Sequence, residues 1–146
     1  MPDAYRPTRD TIVAAAREYL GVPWRHQGRS RAGLDCVGLL VMVARDLGLS
    51  DYDHRAYART PATAHGFVRH FADNMPQVDL AGARPGEVVV LADPVYPCHC
   101  GILSERFGVR YLIHASARYR KVAESPYADE WQTKARFAFA FPGVAA

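Results

Sequence analysis

The sequence lacks a long apolar run, a long basic run and a cysteine-rich framework, and each absence excludes a class of protein. No apolar stretch in its 146 residues is long enough to cross a membrane, and residues 1–10 contain no apolar segment typical of signal peptides. We therefore expect no membrane insertion and a protein that is cytoplasmic as synthesised. The net charge of +3 is mild and forms no continuous basic stretch, so we expect no nucleic-acid partner.

The three cysteines of the chain predict neither a disulfide framework nor a metal site. An odd number cannot all pair, and Cys98 and Cys100 are too close in sequence to bridge each other easily. Their Cys-X-Cys pattern lacks the usual zinc spacing and has no second pair of ligands. Because alternate residues of a strand share one face, we expect both side chains to point away from His99 and to fill the core. We expect no metal and no cofactor.

The composition is typical of one globular domain that spans residues 1–146. Hydrophobic residues make up 49% of the chain and charged residues 23%, and no repeat or linker divides it. Apolar periodicity and capping residues predict three helices in the first half. These helices cover 10–20, 36–47 and about 61–74, with Asp10, Asp35 and Thr60 as caps, and residues 51–60 form a polar connection.

The second half of the chain predicts strands, because short apolar or alternating runs there are bounded by turn residues. The predicted strands cover 87–91, 98–103, 109–114, 120–124 and 136–141. Helices followed by a run of antiparallel strands indicate the α+β class. The helix over 36–47 is apolar nearly all round, so we expect it to be central and buried.

One cysteine stands where a reactive thiolate would be stabilised. Cys36 follows Asp35 at the start of the central helix, where free backbone N–H groups and the helix dipole favour negative charge. The same N–H groups could hold the oxyanion of an attacked carbonyl. Position alone does not decide the role of Cys36, because core packing is the commoner role of a buried cysteine. Asp35 would slightly oppose ionisation of the thiol, so we interpret it as an N-cap.

Two histidines complete a candidate triad with Cys36. Of the six histidines, His99 begins one predicted strand and His114 ends the next. If these strands form a hairpin closed near "SERFG", the two imidazoles lie at adjacent outer ends and can hydrogen-bond each other. A nucleophilic cysteine needs such a base and a group that orients the base.

Four segments of the sequence match a known family in order and spacing. They are "YLGVPWRHQGRSRAGLDCVGLL", "RPGEVVVL", "HCGIL" and "IHAS", and together they cover about 20–116. The sequence thereby resembles the NlpC-type family of papain-like cysteine peptidases, which cut bacterial cell-wall peptides. The resemblance implies helices packed on a short antiparallel sheet, with the nucleophile at the N-terminus of the central helix. It implies Cys36 as nucleophile, His99 as general base and then acid, and His114 as the residue that orients His99.

The loop before Cys36 departs from the family pattern at the positions that would bind substrate. Trp24 stands where the family usually has tyrosine, and His26-Gln27-Gly28 replaces the family's usual tryptophan-glycine-glycine. Trp24, Arg25, His26 and Gln27 are the candidate substrate-binding residues. His26 is either a polar contact to the substrate or a solvated loop residue. The arginines of this loop either pair with stem-peptide carboxylates or form a solvated basic loop; they are Arg25, Arg29 and Arg31.

The segment "WQTKARFAFAFPG", together with "RHQGR" and "DCVGLL", resembles the branch encoded with phage tails and gene-transfer-agent particles. The resemblance implies a cysteine endopeptidase that cleaves peptidoglycan stem peptides at the bond between γ-linked D-glutamate and a diamino acid. Its partners would be the stem peptide and phage-tail proteins, with delivery to the cell wall by the particle. Two alternatives stay open: a structural tail-assembly component with weak catalysis, and an amidase or acyltransferase that uses the same triad.

Overall fold

The computed structural model describes residues 6–50, 53, 64–92 and 97–145. Within these residues the chain forms three α-helices and eight β-strands, and this confirms the α+β prediction. The helices are α1 (Arg9–Arg17), α2 (Cys36–Asp46) and α3 (Ala64–Asn74). The strands are β1 (Arg29–Ser30), β2 (Gly33–Leu34), β3 (Gln77–Val78), β4 (Val88–Ala92), β5 (Pro97–Arg106), β6 (Val109–Ser116), β7 (Lys121–Pro126) and β8 (Ala135–Phe139).

Six of the strands form one antiparallel sheet in the order β3-β8-β4-β5-β6-β7. β5 and β6 are the predicted hairpin, and Ile102 lies opposite Ile113 in their register. The turn between them carries Phe107 and Gly108, both with positive φ. β7 continues the meander beside β6, so β5, β6 and β7 are three neighbouring strands.

The two faces of this sheet bury two different apolar clusters, because successive side chains of a strand point to opposite faces. Val88 and Val90 of β4 belong to the cluster that also contains α1 and α2 residues. Val89 and Leu91 belong to the second cluster, which contains Trp131. The α2 helix lies on the first face with most of its residues buried, and this confirms its predicted central position.

The start of α1 differs from the prediction. Thr8, not Asp10, is the N-cap: its side chain accepts a hydrogen bond from the backbone N–H of Thr11, and the Thr11 side chain accepts from the Thr8 backbone. This reciprocal pair satisfies two groups at the helix end, whereas Asp10 lies in the first turn, where a negative charge is also favoured. The helix ends at Arg17, three residues before the predicted Leu20.

The other two helices agree with the sequence where they are described. Asp35 is the N-cap of α2 and Gly48 follows the helix with φ of 68°, a conformation that glycine adopts readily. In α3, Phe71 is buried, with Phe67 and Val68 partly buried against the same cluster. The predicted cap Thr60, the first turn from Pro61 and most of the connection 51–60 lie outside the described residues.

The strands differ from the prediction mainly in length. β5 extends to Arg106, β6 to Ser116 and β7 to Pro126, each beyond the predicted end. The strands β1, β2 and β3 have two residues each. They were not predicted, because so short a segment carries no periodicity.

A buried carboxylate, Glu124, joins α1 to the β5–β7 end of the sheet. It accepts hydrogen bonds from Arg17 Nη2 at 2.9 Å, Ser104 Oγ at 2.7 Å and Arg106 Nε at 2.8 Å, and its side chain is 5% exposed. Burial raises the pKa of Glu124, but the hydrogen bonds from Arg17, Ser104 and Arg106 outweigh it and hold the pKa below its usual value.

We expect Glu124→Gln to lower the free energy of unfolding by about 1–3 kcal/mol near neutral pH, because two arginines and Ser104 lose a charged acceptor. A carboxyl with a depressed pKa in the folded state stabilises above its unfolded pKa, and this contribution disappears as the pH falls through the folded pKa. The difference between the two proteins should therefore shrink on acidification. Urea unfolding at several pH values between about 7 and 3 measures it.

The matched control is Glu105→Gln, which changes an exposed carboxylate on β5 of the same sheet. We expect that variant to unfold like the wild type. An equal loss of stability in both variants would contradict a specific role for Glu124.

Candidate active site

The position of Cys36 is set by the carboxylate of the residue before it. Asp35 Oδ1 accepts the backbone N–H of Gly38 at 2.8 Å, which caps α2, and Oδ2 accepts the N–H of Gln27 at 2.7 Å. The loop before β1 is therefore fastened to the first turn of α2. Cys36 is the first residue of the helix, where its backbone N–H has no intrahelical acceptor.

The thiol of Cys36 is half-buried and contacts the side chains of Cys100 and His99. The hydrogen bond with the Cys100 thiol contributes most to lowering the pKa of Cys36, and the hydrogen bond and charge of His99 lower it further. Burial and the nearby Asp35 carboxylate oppose this change. The net effect lowers the pKa of Cys36 to about 5, so the thiolate predominates at neutral pH.

The two histidines lie side by side on β5 and β6. His99 Nε2 and His114 Nδ1 are 2.8 Å apart, which is a hydrogen bond between the two rings. Since that nitrogen of His99 is engaged, Nδ1 is the one left for the Cys36 thiol. The structure thus brings together Cys36, His99 and His114, in the order in which the sequence arranged them.

His114 is fully buried, and its environment keeps the ring neutral. Burial lowers the pKa of His114 to about 3, with the charge of His99 as the second cause. The ring of Trp131 lies 4.6 Å from that of His114 and 5.7 Å from that of His99, measured between centroids. The two imidazoles are therefore held against a large apolar surface.

The four candidate substrate-binding residues lie on the loop beside the helix start. Trp24 donates its backbone N–H to Arg120 O at 3.0 Å. Its half-buried side chain packs against the apolar cluster that contains the α1 and α2 residues. Arg25 is exposed, whereas His26 is half-buried, which does not fit a fully solvated loop residue. Gln27 has φ of 57°, an unusual value for a non-glycine residue, at the place where its N–H meets Asp35.

The arginines of this loop have separate roles. Arg29 is 4% exposed and pairs with Asp35 at 3.1 Å and with Asp53 at 2.8 Å, so neither the substrate-pairing nor the solvated interpretation holds for it. Arg31 donates to Glu18 O at 2.9 Å and lies over the Tyr19 ring. Arg25 is the exposed cation that the two interpretations still fit.

Three residues that touch the site were not identified from the sequence: Cys100, Ser125 and Trp131. Cys100 does lie in the core cluster on the face opposite His99, as predicted, but its thiol also contacts Cys36. Ser125 Oγ lies 3.0 Å from His114 Nε2, one residue beyond the predicted end of its strand. Because alternate residues of β7 share a face, Ser125 lies on the same face as His114. The sequence could have indicated this only if β7 had been predicted to continue past residue 124.

Within the described part of the chain, no group of three or more histidine, cysteine or acidic side chains is arranged to hold a metal ion. Nor does any helix of that part combine the length and the hydrophobicity that a membrane span requires. The side chains present at the start of α2 and β5 support nucleophilic and acid–base chemistry. The Cys36 thiolate lies beside the imidazole of His99, which is hydrogen-bonded to His114.

Comparison with protein families gives a match over residues 21–139 to the NlpC/P60 family. The chain belongs to the NlpC/P60 family. The matched region contains the loop before α2, Cys36, both histidines and all six strands of the sheet. No protein with a curated description matches the chain.

Solved structures share the fold at low sequence identity. An NlpC/P60 family protein from Bacillus cereus has 19% identity and a TM-score of 0.70 over 96% of this chain, which spans 42% of that protein. The NlpC/p60 domain of the peptidoglycan hydrolase SagA has 18% identity and a TM-score of 0.62, over 91% of this chain and 98% of that one. An N-acetylmuramoyl-L-alanine amidase from Bacteroides uniformis has 11% identity and a TM-score of 0.63, over 90% of this chain and 96% of the amidase.

We expect alkylation of Cys36 by iodoacetamide to be half-maximal near pH 5 in the folded protein, because the thiolate is the reactive form. The same protein in denaturant should give an ordinary thiol profile with a midpoint of about 8.5. Peptide mass spectrometry across a pH series separates Cys36 from the other two cysteines. His99→Ala should move the folded midpoint upward, and identical folded and unfolded profiles would contradict the assigned environment.

Proposed function

We propose that this chain is a cysteine hydrolase that cleaves peptidoglycan stem peptides through Cys36, His99 and His114. The observation that carries the proposal is the 2.8 Å hydrogen bond between the two imidazoles, next to a helix-start thiol whose pKa is lowered. Nucleophile, base and orienting group are thereby in contact. A purely structural tail component would not need this arrangement, so that alternative is less well supported.

In the acylation step, the Cys36 thiolate attacks the carbonyl carbon of the scissile amide. The negative charge moves to the carbonyl oxygen, where N–H groups of the first turn of α2 stabilise it. His99 then gives its proton to the amine nitrogen as the carbon–nitrogen bond breaks. The amine leaves, and the acyl group stays on Cys36 as a thioester.

In the deacylation step, His99 accepts a proton from a water molecule as that water attacks the thioester carbonyl. The carbon–sulfur bond breaks, the acid product leaves, and Cys36 is again a thiolate beside a protonated His99. His114 keeps the ring of His99 in one orientation through both steps, because its Nδ1 holds His99 Nε2. Trp131 limits the movement of both rings.

Family membership and the peptidoglycan hydrolase among the similar structures support the cell wall as substrate. The bond between γ-linked D-glutamate and a diamino acid is the one that the family resemblance implies. Arg25 is exposed on the loop beside Cys36 and suits a carboxylate of the stem peptide. The amidases of the same fold favour a second candidate, cleavage of the bond between the sugar and the first amino acid.

Association with a phage tail is a further part of the proposal. It rests on the resemblance of the segment that contains Trp131, β8 and the following Pro-Gly to the particle-encoded branch. A tail particle would deliver the enzyme to the wall, and tail proteins would be its partners. Co-purification with a tail particle from an induced host would support this part, and free enzyme alone in that preparation would count against it.

The experiment for the hydrolase is incubation of purified muropeptides with the wild type and with Cys36→Ala, followed by mass spectrometry. We expect a fragment cut on the carboxyl side of γ-D-glutamate with the wild type, and none with the variant, because the nucleophile is absent. Release of an intact stem peptide from the sugar would favour the amidase instead. Cleavage that survives in Cys36→Ala would reject Cys36 as the nucleophile.

The matched control is Cys98→Ala, which removes a half-buried thiol of the same strand region without touching the proposed chemistry. It should cleave like the wild type. Circular dichroism of all three proteins establishes that the variants are folded.

A further inference from the structure

The hydrogen-bond chain of the site continues one residue past the triad. His114 Nε2 lies 3.0 Å from Ser125 Oγ, and both side chains are buried, at 0% and 8% exposure. Ser125 lies on β7, opposite Leu112 of β6 in the register, and so shares the sheet face of His114. The chain of contacts is Cys36, His99, His114 and Ser125, and its last three members come from three neighbouring strands.

We propose that Ser125 is a positioning residue that fixes the tautomer of His114 and thereby keeps His99 able to receive the Cys36 proton. This inference rests on the proposed function, because it concerns the proton that the hydrolase moves. Ser125 acts on His99 through His114.

The proton positions follow from the number of donors on each ring. When His99 holds the proton taken from Cys36, both of its nitrogens carry hydrogen, and Nε2–H donates to His114. His114 Nδ1 must then be the bare nitrogen. A neutral imidazole has one hydrogen, so the hydrogen of His114 lies on Nε2 and points to Ser125 Oγ, which accepts it.

The other tautomer of His114 would work against the reaction. Its Nδ1–H would donate to a bare His99 Nε2, which places the single hydrogen of a neutral His99 on Nδ1, facing Cys36. His99 could not then take the thiol proton. If His99 were protonated, its Nε2–H would face the Nδ1–H of His114, and no hydrogen bond could form between them. An acceptor at His114 Nε2 therefore favours the productive state.

The surroundings make Ser125 the group that decides between the tautomers. Burial keeps His114 neutral, so the ring cannot satisfy both neighbours by carrying two hydrogens. The aromatic rings near it, Trp131 and Tyr119, present edges or faces to the imidazole, with centroids 4.6 Å and 6.4 Å away. If Ser125 were alanine, the buried Nε2–H would lose its acceptor, and this would disfavour the productive tautomer.

The direct test is nitrogen NMR of histidine-labelled wild type and Ser125→Ala. We expect His114 to carry its hydrogen on Nε2 in the wild type, and a substantial population with the hydrogen on Nδ1 in the variant. The same Nε2–H form in both proteins, or an Nδ1–H form in the wild type, would overturn the proposal. This signal does not depend on cleavage of any substrate.

The kinetic test uses Ser125→Ala, Ser125→Thr and Ser104→Ala. We expect Ser125→Ala to lower kcat on muropeptides by at least about tenfold with KM little changed, and to raise the pH of half-maximal Cys36 alkylation. Ser125→Thr keeps the hydroxyl and should restore both. Ser104→Ala removes another buried serine hydroxyl, which donates to Glu124, and should change neither.

Equal losses in Ser125→Ala and Ser104→Ala would mean a general effect of packing and would overturn the positioning role. If the wild type cleaves no muropeptide, the proposed function fails, while the alkylation profile and the tautomer still decide the role of Ser125. The groups that face Cys36 in that profile are His99, Cys100 and Asp35, and they are unchanged in all three variants.

Discussion

The Asp35 carboxylate holds the start of α2 in place through hydrogen bonds, and the position of the nucleophile depends on them. It caps the helix through Gly38, holds the loop through Gln27 and pairs with the buried Arg29. A bare carboxylate so close to a thiolate would raise the pKa of the thiol. Arg29 limits that effect by neutralising Asp35, so the residue can anchor the site without preventing ionisation of Cys36.

From this anchor the site extends across the sheet in a direction perpendicular to the strands. His99, His114 and Ser125 lie on β5, β6 and β7, which neighbour one another at about 4.8 Å, so each side chain reaches the next. Cys100, beside His99 in sequence, points to the opposite face and meets Cys36 from the helical side. The Cys36 thiol therefore lies between the two faces of the sheet. It is hydrogen-bonded to Cys100 from the face that packs on α2 and to His99 from the opposite face.

The fold class, the central helix with its Asp35 cap and the β5–β6 hairpin were predictable, because each depends on local periodicity, capping or turn residues. The same signals gave the wrong cap for α1, since a threonine pair competes with Asp10. Three two-residue strands carry no period, and the ends of β5, β6 and β7 extend as far as their neighbours pair with them. Because the predicted β7 ended at residue 124, Ser125 was not identified as part of the site.

The sequence by itself determined the chemistry that is present: a cysteine at a helix start and two histidines on consecutive strands, in a pattern that resembles one family. Only the tertiary structure decided how these groups act on one another. Register placed His99 Nε2 on His114 Nδ1, and burial made His114 neutral. The pairing of Arg29 with Asp35 ruled out both interpretations that the sequence had left open for that arginine. Such effects depend on distance and on exclusion of water, which residues far apart in sequence acquire only when the chain has folded.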